Sequence, residues 1–152
     1  MFSNWKVLAF VIVVLAASLP ASLAAGVNDV TKKPTGVDLI TVEELKAKIT
    51  ANEPVVIIDV RGSESYANTD SKIKGALHVN VRKLKFRISF APLKDVPKDR
   101  EVVTYCACPN EEAALKAAQV LLENGFKRVR ALKGGWQEWQ KAAGPTEPRP
   151  RG

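Results

Sequence analysis

Hydrophobic and polar positions alternate in blocks along the chain, and these blocks predict strands and helices in turn. Residues 55–60 form a continuous, mostly β-branched run, which is typical of a strand buried on both faces. Further strands are predicted over residues 76–79, 101–105 and 129–132. Helical patterns separate the strands, so the sequence predicts an α/β fold with a mostly parallel central sheet of about five strands and helices on both faces.

Several helices carry recognisable ends or faces. Thr41 and Glu44 form a capping box at the start of the first helix. Asn110 is the predicted N-cap of a long helix. Trp136 and Trp139 lie about one turn apart and are expected to pack the last helix onto the sheet. The remaining helices are predicted over residues 63–67, 81–90 and 111–124.

The N-terminal segment differs in kind from the rest. Lys6 precedes an apolar run over residues 7–19, and small residues follow. This arrangement is typical of a secretory signal peptide, and the run is shorter than the roughly 20 apolar residues of a membrane-spanning helix. An uncleaved anchor is the alternative. We expect an exported, periplasmic or secreted protein with no stable membrane span after cleavage. The predicted organisation is a signal peptide (1–24), a lead-in (25–36), a folded domain (37–143) and a Pro-rich tail (144–152).

Composition and charge limit the kinds of molecule that we expect this chain to bind. The formal net charge is +7, but Lys and Arg are spread along the chain and no nucleic-acid-binding motif accompanies them. We therefore expect no nucleic-acid partner. Two cysteines are too few for a disulfide framework, and their separation by one residue, as Cys106 and Cys108, is the informative feature.

Cys106 follows the predicted strand 101–105 directly, and a helix begins a few residues later. In an open α/β sheet, ligands bind outside the carboxyl ends of the strands. The amides of such a turn and the positive end of the helix stabilise an anion, and they favour a thiolate over a thiol. This thiolate can attack a sulfane sulfur and hold the product as a persulfide. The alternative is an inert, buried cysteine at the strand end.

Four segments resemble the rhodanese family in order along the chain. Tyr105-Cys106 opens a six-residue loop that is similar to the family's active-site loop. The other three segments are Ile58-Asp59-Val60-Arg61 with Tyr66, residues 73–79 (IKGALHV), and residues 132–139, which contain Gly134-Gly135-Trp136. The resemblance covers nearly all of residues 39–143. It implies a single rhodanese-like domain with sulfurtransferase activity, in which Cys106 is the catalytic nucleophile.

The resemblance also implies substrates and binding residues. The donor is thiosulfate or a persulfide-like compound, and the acceptor is cyanide, a thiol or a thiol-bearing protein. No metal or organic cofactor is implied. The residues expected to bind substrate lie in the loop and at the end of the first buried strand: Ala107, Cys108, Pro109, Asn110, Glu111, Glu112, Asp59 and Arg61. For Asp59 and Arg61, a structural ion pair is the alternative.

The loop departs from the family pattern, Cys-x-x-Gly-x-Arg followed by Ser or Thr. Pro109 stands at the Gly position and removes one N–H donor. Glu111 and Glu112 stand at the Arg and hydroxyl positions, and both are expected to point outward as charges at the helix N-terminus. The lost Arg removes a bidentate clamp for an oxyanion. The related phosphatase and arsenate-reductase chemistries, which need that clamp, are therefore disfavoured.

Cys108 leaves two further functions open. As a second thiol it can resolve the Cys106 persulfide, form a transient, strained disulfide, or only fill space. One alternative function is therefore a thiol–disulfide redox protein that uses Cys106 and Cys108. Another is a non-catalytic, rhodanese-like binding module. His78 is flanked by apolar residues and is expected to be a core or edge histidine.

Overall fold

The computed structural model describes residues 36–150; the predicted signal peptide and nearly all of the lead-in lie outside them. Among the described residues, no helix is both long enough and apolar enough to cross a membrane. In chain order the elements are β1 (Asp38–Ile40), α1 (Val42–Thr50), β2 (Val55–Asp59), α2 (Ser63–Ala67), β3 (Ser71–Ile73), β4 (Leu77–His78), α3 (Val81–Arg87), a 3-10 helix (Leu93–Asp95), β5 (Glu101–Tyr105), α4 (Glu112–Glu123), β6 (Arg128–Leu132), α5 (Gly135–Lys141) and β7 (Thr146–Pro148).

Five of the strands form a parallel sheet in the order β1-β6-β5-β2-β4. This arrangement confirms the predicted α/β fold. The central strand, β5, is buried along its whole length, as its apolar sequence requires. The carboxyl ends of all five strands therefore lie at one edge of the sheet, with the end of β5 near its middle.

Helices cover both faces of this sheet. Ile58 belongs to a core that the sheet forms with α3 and α4, whereas Ile57 belongs to a second core that includes residues of α1 and α5. Successive side chains of a strand point to opposite faces, so this one continuous apolar run supplies both cores. Trp136 and Trp139 are buried in the second core, which confirms their predicted packing role.

Of the two predicted helix caps, the one at α1 is confirmed and the one at α4 is not. At α1, Glu44 N–H donates to Thr41 Oγ1 (3.2 Å) and Thr41 N–H donates to the Glu44 carboxylate (2.9 Å), so the capping box is confirmed. At α4, Glu111 occupies the N-cap position instead of Asn110, so that prediction is wrong. Glu111 adopts a left-handed backbone conformation with φ of 48°. The chain thus turns into α4 one residue later than expected.

A second, two-stranded sheet joins β3 to β7 in antiparallel pairing. The sequence predicted neither strand, and it placed β7 in the Pro-rich tail. Ile73 pairs with Thr146, and the ammonium of Lys72 contacts the Glu147 carboxylate. Both strands have only three residues, too few to show an alternating pattern. Regular structure therefore continues beyond the predicted end of the folded domain at residue 143.

Candidate active site

The Cys106 loop, residues 106–111, connects β5 to α4. Cys106 follows Tyr105, the last residue of β5, and α4 begins at Glu112. The Cys106 side chain is only 1 % exposed, and Cys108 is half-buried. The structure thus confirms the predicted position of Cys106 at the carboxyl edge of the sheet, beside a helix N-terminus. Such a position favours an anion.

Cys106 and Cys108 are joined by a disulfide bond, with their Cα atoms 5.6 Å apart. Neither of the two cysteines of the chain is free. The described state is therefore the oxidised one, in which Cys106 has no thiolate. Nucleophilic chemistry at Cys106 requires that this bond first be reduced.

This disulfide is a weak structural cross-link. It encloses only Ala107 between the two cysteines. The stabilisation that a disulfide provides through the entropy of the unfolded chain grows with loop length, and for so short a loop it is only about 1.5 kcal/mol, below the typical range of about 2–4 kcal/mol. The pair therefore contributes little to the stability of the fold.

The segment Gly134-Gly135-Trp136 holds both ends of the Cys106 loop. Trp136 N–H donates to the carbonyl oxygen of Cys106 (2.8 Å), and Gly134 N–H donates to a Glu111 carboxylate oxygen (2.8 Å). Gly135 has φ of +53°, and a Cβ at that position would collide with the Cys106 carbonyl oxygen. Only glycine allows the two backbones to approach so closely.

The two glutamates of the loop differ in their surroundings. Glu111 is buried and its carboxylate binds the Gly134 amide, so the expectation that it points outward is wrong. Glu112 is exposed in the first turn of α4, as expected. The bond to Gly134 explains the difference, because it gives the buried carboxylate a charge-assisted partner. Neither side chain supplies the positive charge of the missing Arg.

The other loop positions are partly open to solvent. Pro109 and Asn110 are exposed at the tip of the loop. Ala107 is half-buried against the core that contains residues of α1 and α5, whereas Cys108 packs against the core that contains α3 and α4. The loop thus lies over the end of the sheet and touches both cores.

Asp59 and Arg61 form a fully buried ion pair at the end of β2, where Asp59 pairs in register with Tyr105. The guanidinium Nε lies 3.0 Å from both Asp59 carboxylate oxygens, and Nη2 lies 2.6 Å from one of them. The Tyr105 hydroxyl donates to the same carboxylate (2.7 Å), and Tyr105 directly precedes Cys106. The pair therefore orders the strand end that carries Cys106, which is the role that the structural alternative gives it.

The remaining guanidinium contacts of Arg61 extend this network. Arg61 donates to the Thr69 hydroxyl (2.8 Å) and to the Ser71 carbonyl (3.0 Å). Its guanidinium carbon lies 4.4 Å from the centroid of the Trp136 ring. Trp136 therefore links the ion pair to the Cys106 carbonyl. The sequence identified its indole as a core group but carried no signal that its amide would bind the loop.

The electrostatics of Asp59 follow from these contacts. Burial alone raises the pKa of Asp59, but His78, Arg61 and Tyr105 outweigh burial and hold the pKa below its usual range. Burial and the neighbouring Asp59 charge raise the pKa of Tyr105, which keeps its hydroxyl protonated as a donor. His78 is half-buried, stacks on Tyr66 at 3.6 Å, and has Nδ1 3.9 Å from Asp59. This agrees with the expected core or edge histidine.

A charged cleft at the opposite edge of the sheet is not part of this site. Its lining includes Lys48, Glu101 and Arg130, and Glu101 is the first residue of β5. The Glu101 carboxylate contacts both cations, so these charges are already paired. Within residues 36–150, no three His, Cys, Asp or Glu side chains are grouped as metal ligands.

Comparison with known families matches residues 41–142 to the model for the rhodanese-like domain. Two relatives of similar sequence are both named as sulfurtransferases. Thiosulfate sulfurtransferase GlpE of Coxiella burnetii is 34% identical over 99 residues, which cover 65% of this chain and 83% of that protein. A sulfurtransferase of Allochromatium vinosum is 30% identical over 105 residues, which cover 69% of this chain and 90% of that protein.

Solved structures show the same fold. The rhodanese-like domain of the Alr3790 protein from Anabaena sp. is 30% identical, with a TM-score of 0.61 over 75% of this chain and 85% of that one. The BH2092 protein from Bacillus halodurans is 28% identical, with a TM-score of 0.62 over 72% of this chain and 76% of that one. The arrangement of strands and helices described above is thus shared with solved rhodanese-like structures.

Proposed function

Since the chain belongs to the rhodanese-like domain family, whose named relatives here are sulfurtransferases, we propose that it moves sulfane sulfur from a donor to a thiophilic acceptor through a persulfide on Cys106. The donor is thiosulfate or a persulfide, and the acceptor is cyanide or a thiol, including one on a protein. The observation that carries this proposal is the position of Cys106, between the central buried strand and the N-terminus of α4.

The proposed loading step balances without a cofactor. The Cys106 thiolate attacks the sulfane sulfur of thiosulfate, the S–S bond of thiosulfate breaks, and sulfite leaves with the bonding electrons. The remaining N–H groups of the loop and the N-terminus of α4 stabilise the persulfide anion; Pro109 contributes none, and Glu111 N–H already donates to the Cys108 carbonyl (3.3 Å). Asp59 and Arg61 act as positioning residues, because their charges are engaged with each other.

The charges of the loop bear on the choice of donor. Both Glu111 and Glu112 are acidic, so neither offers positive charge to an incoming anion. Within the loop, binding of a dianion such as thiosulfate then depends on backbone amides and the helix terminus. We expect a singly charged persulfide donor to load Cys106 faster than thiosulfate does.

The proposal is tested on the reduced protein, because the disulfide blocks Cys106. The disulfide is reduced with a dithiol, the dithiol is removed, and a panel of sulfane donors is offered before intact-protein mass spectrometry. We expect the mass of one sulfur atom to be added on Cys106 in the Cys108→Ser variant, and no addition in Cys106→Ser. If no donor adds sulfur to either protein, the proposal is rejected.

The Cys106–Cys108 bond favours a second candidate, a thiol–disulfide redox protein. Its test is a titration of free thiols against buffers of defined redox potential. A midpoint within the range of biological dithiols supports this function. A pair that stays reduced in strongly oxidising buffer cannot perform it.

We also propose that the chain is exported and works in the periplasm or outside the cell. The pattern of residues 1–24 supports this, and a disulfide persists in oxidising compartments. N-terminal sequencing of exported material should begin at Ala25. Protein that is retained in the cytoplasm with its first residues intact would contradict the proposal.

A further inference from the structure

We infer that the Cys106 loop releases sulfide: Cys108 attacks the Cys106 persulfide, the disulfide forms, and hydrosulfide leaves. The inference rests on the Cys106 persulfide proposed above. It goes beyond that proposal because, when no acceptor takes the sulfane sulfur, the sulfur leaves as a reduced product. The disulfide seen in the structure is then a state of the reaction.

The geometry that carries this inference is the reach of Cys108 to Cys106. The two cysteines are bonded, with a Cα separation of 5.6 Å inside the ordinary range for disulfides. The same state keeps the hydrogen bond from Trp136 N–H to the Cys106 carbonyl and that from Gly134 N–H to Glu111. Cys108 therefore reaches the Cys106 sulfur while the loop keeps its contacts.

The atom attacked distinguishes sulfide release from simple sulfur transfer. In the persulfide, the Cys106 Sγ atom is the inner sulfur, and it is the atom to which Cys108 is bonded in the structure. The Cys108 thiolate forms a bond to this inner sulfur, and the bond to the outer sulfur breaks. The proton of the Cys108 thiol passes to the outer sulfur, which leaves with the electron pair of the broken bond as hydrosulfide. No external oxidant is needed, because the sulfane sulfur is reduced as the two cysteines are oxidised.

The burial of the two cysteines indicates how the disulfide is reduced at the end of the cycle. Cys106 is 1 % exposed, whereas Cys108 is only half-buried. An external dithiol therefore attacks Cys108, and Cys106 leaves as a thiolate beside the positive end of α4. The second thiol of the reductant completes the exchange. With thiosulfate as donor, the cycle converts thiosulfate and a dithiol into sulfite, hydrosulfide and the oxidised dithiol.

The test follows the fate of the sulfur atom in three proteins. Wild type, Cys108→Ser and Cys106→Ser are reduced, freed of reductant and mixed without oxygen with thiosulfate, a thiosulfonate or glutathione persulfide. Released sulfide, free thiols and intact mass are measured against samples without donor. We expect wild type to release one sulfide per chain, lose both thiols and gain no mass. Cys108→Ser should keep the added sulfur and release sulfide only when an external thiol is supplied.

The outcomes separate this inference from the proposed function. A wild-type protein that keeps the added sulfur, with no sulfide release beyond that of Cys108→Ser, overturns the inference and leaves the Cys106 persulfide intact. Sulfur found on Cys108 of wild type also overturns it, because that result means attack on the outer sulfur. If no donor loads Cys108→Ser, the persulfide itself is absent and both proposals fail.

Discussion

The backbone N–H of Trp136 donates a hydrogen bond to the carbonyl oxygen of Cys106, at 2.8 Å. This contact joins the start of α5 to the loop that follows β5. The ring of the same residue lies against the guanidinium of Arg61, whose partner Asp59 accepts from the Tyr105 hydroxyl. Asp59 thus holds Tyr105 through its hydroxyl. The Trp136 amide holds Cys106 through its carbonyl. Substitutions far from Cys106 in sequence should therefore alter its chemistry.

Gly135→Ala tests the close approach of these two backbones. A Cβ would collide with the Cys106 carbonyl, and the positive φ disfavours any side chain. We expect a loss of about 1–3 kcal/mol in the free energy of unfolding, measured with urea, and slower sulfur loading of the reduced protein. Gly62→Ala is the control, because Gly62 has no atom within 4 Å of the added Cβ and its φ is −61°. Equal stability of the two variants would contradict the close approach.

We expect the Glu111 carboxylate to stabilise the fold as a hydrogen-bond acceptor, and substitutions of Glu111 test this. Glu111→Ala removes the carboxylate that accepts from Gly134 N–H and should cost about 1–3 kcal/mol of unfolding free energy. Glu111→Gln keeps an acceptor oxygen and should lose less. The exposed neighbour gives the matched control, since Glu112→Ala should change stability by only about 0.5 kcal/mol. A Glu112 variant as unstable as Glu111→Ala would show that helix charge, not the Gly134 contact, is responsible.

Periodicity predicted the parallel sheet and most of its helices because the buried run at residues 55–60 and the central strand β5 are long enough to show a pattern. Short elements such as β7 carry no such signal, and its pairing with β3 depends on tertiary contacts. The Glu111 carboxylate illustrates the same limit within the site. Sequence alone suggested a solvent-facing charge, because nothing local revealed that Gly134, more than twenty residues later, would donate to it.

The pKa of Asp59 predicts an acid-sensitive strand end. Because this pKa is lower in the folded protein than its usual value near 3.8, the ionised carboxylate stabilises the fold above about pH 4. That contribution is lost as pH falls below 4, through the folded pKa. Tyr105→Phe removes one donor and should raise the Asp59 pKa, so that acid unfolding begins at higher pH. Carbon-13 NMR of the Asp59 carboxyl measures this directly.

Tyr66→Phe serves as the control for this measurement, since the donors that approach the Asp59 oxygens within 3.1 Å belong to Arg61 and Tyr105. Its Asp59 titration should match that of the unsubstituted protein. If Tyr105→Phe leaves the Asp59 titration unchanged, the hydroxyl is not one of the groups that lower this pKa.

The Pro-rich C-terminal segment should stabilise β3 and the turns on either side of it. Lys74 N–H donates to the Pro145 carbonyl, and the Arg149 side chain donates to the carbonyls of Ala67 and Thr69. Deleting residues 145–152 should therefore speed hydrogen exchange at Lys74 by at least about tenfold, the change that about 1.4 kcal/mol of lost local stability produces. Deleting only residues 151–152 should leave that rate unchanged. Equal exchange in both truncated proteins would show that β7 contributes nothing to local stability.

Unequal burial of the two cysteines predicts which sulfur of the disulfide an external thiol attacks first. Cys106 is 1 % exposed and Cys108 is half-buried, and attack by a thiolate requires access to the sulfur. Oxidised protein treated briefly with limiting glutathione and then quenched with acid should carry glutathione on Cys108, with Cys106 released as a thiol. Peptide mapping of the mixed disulfide measures the two sites, and we expect at least about tenfold preference for Cys108. Glutathione found mainly on Cys106 would mean that the loop opens before attack, and that burial in the closed loop does not direct the reaction.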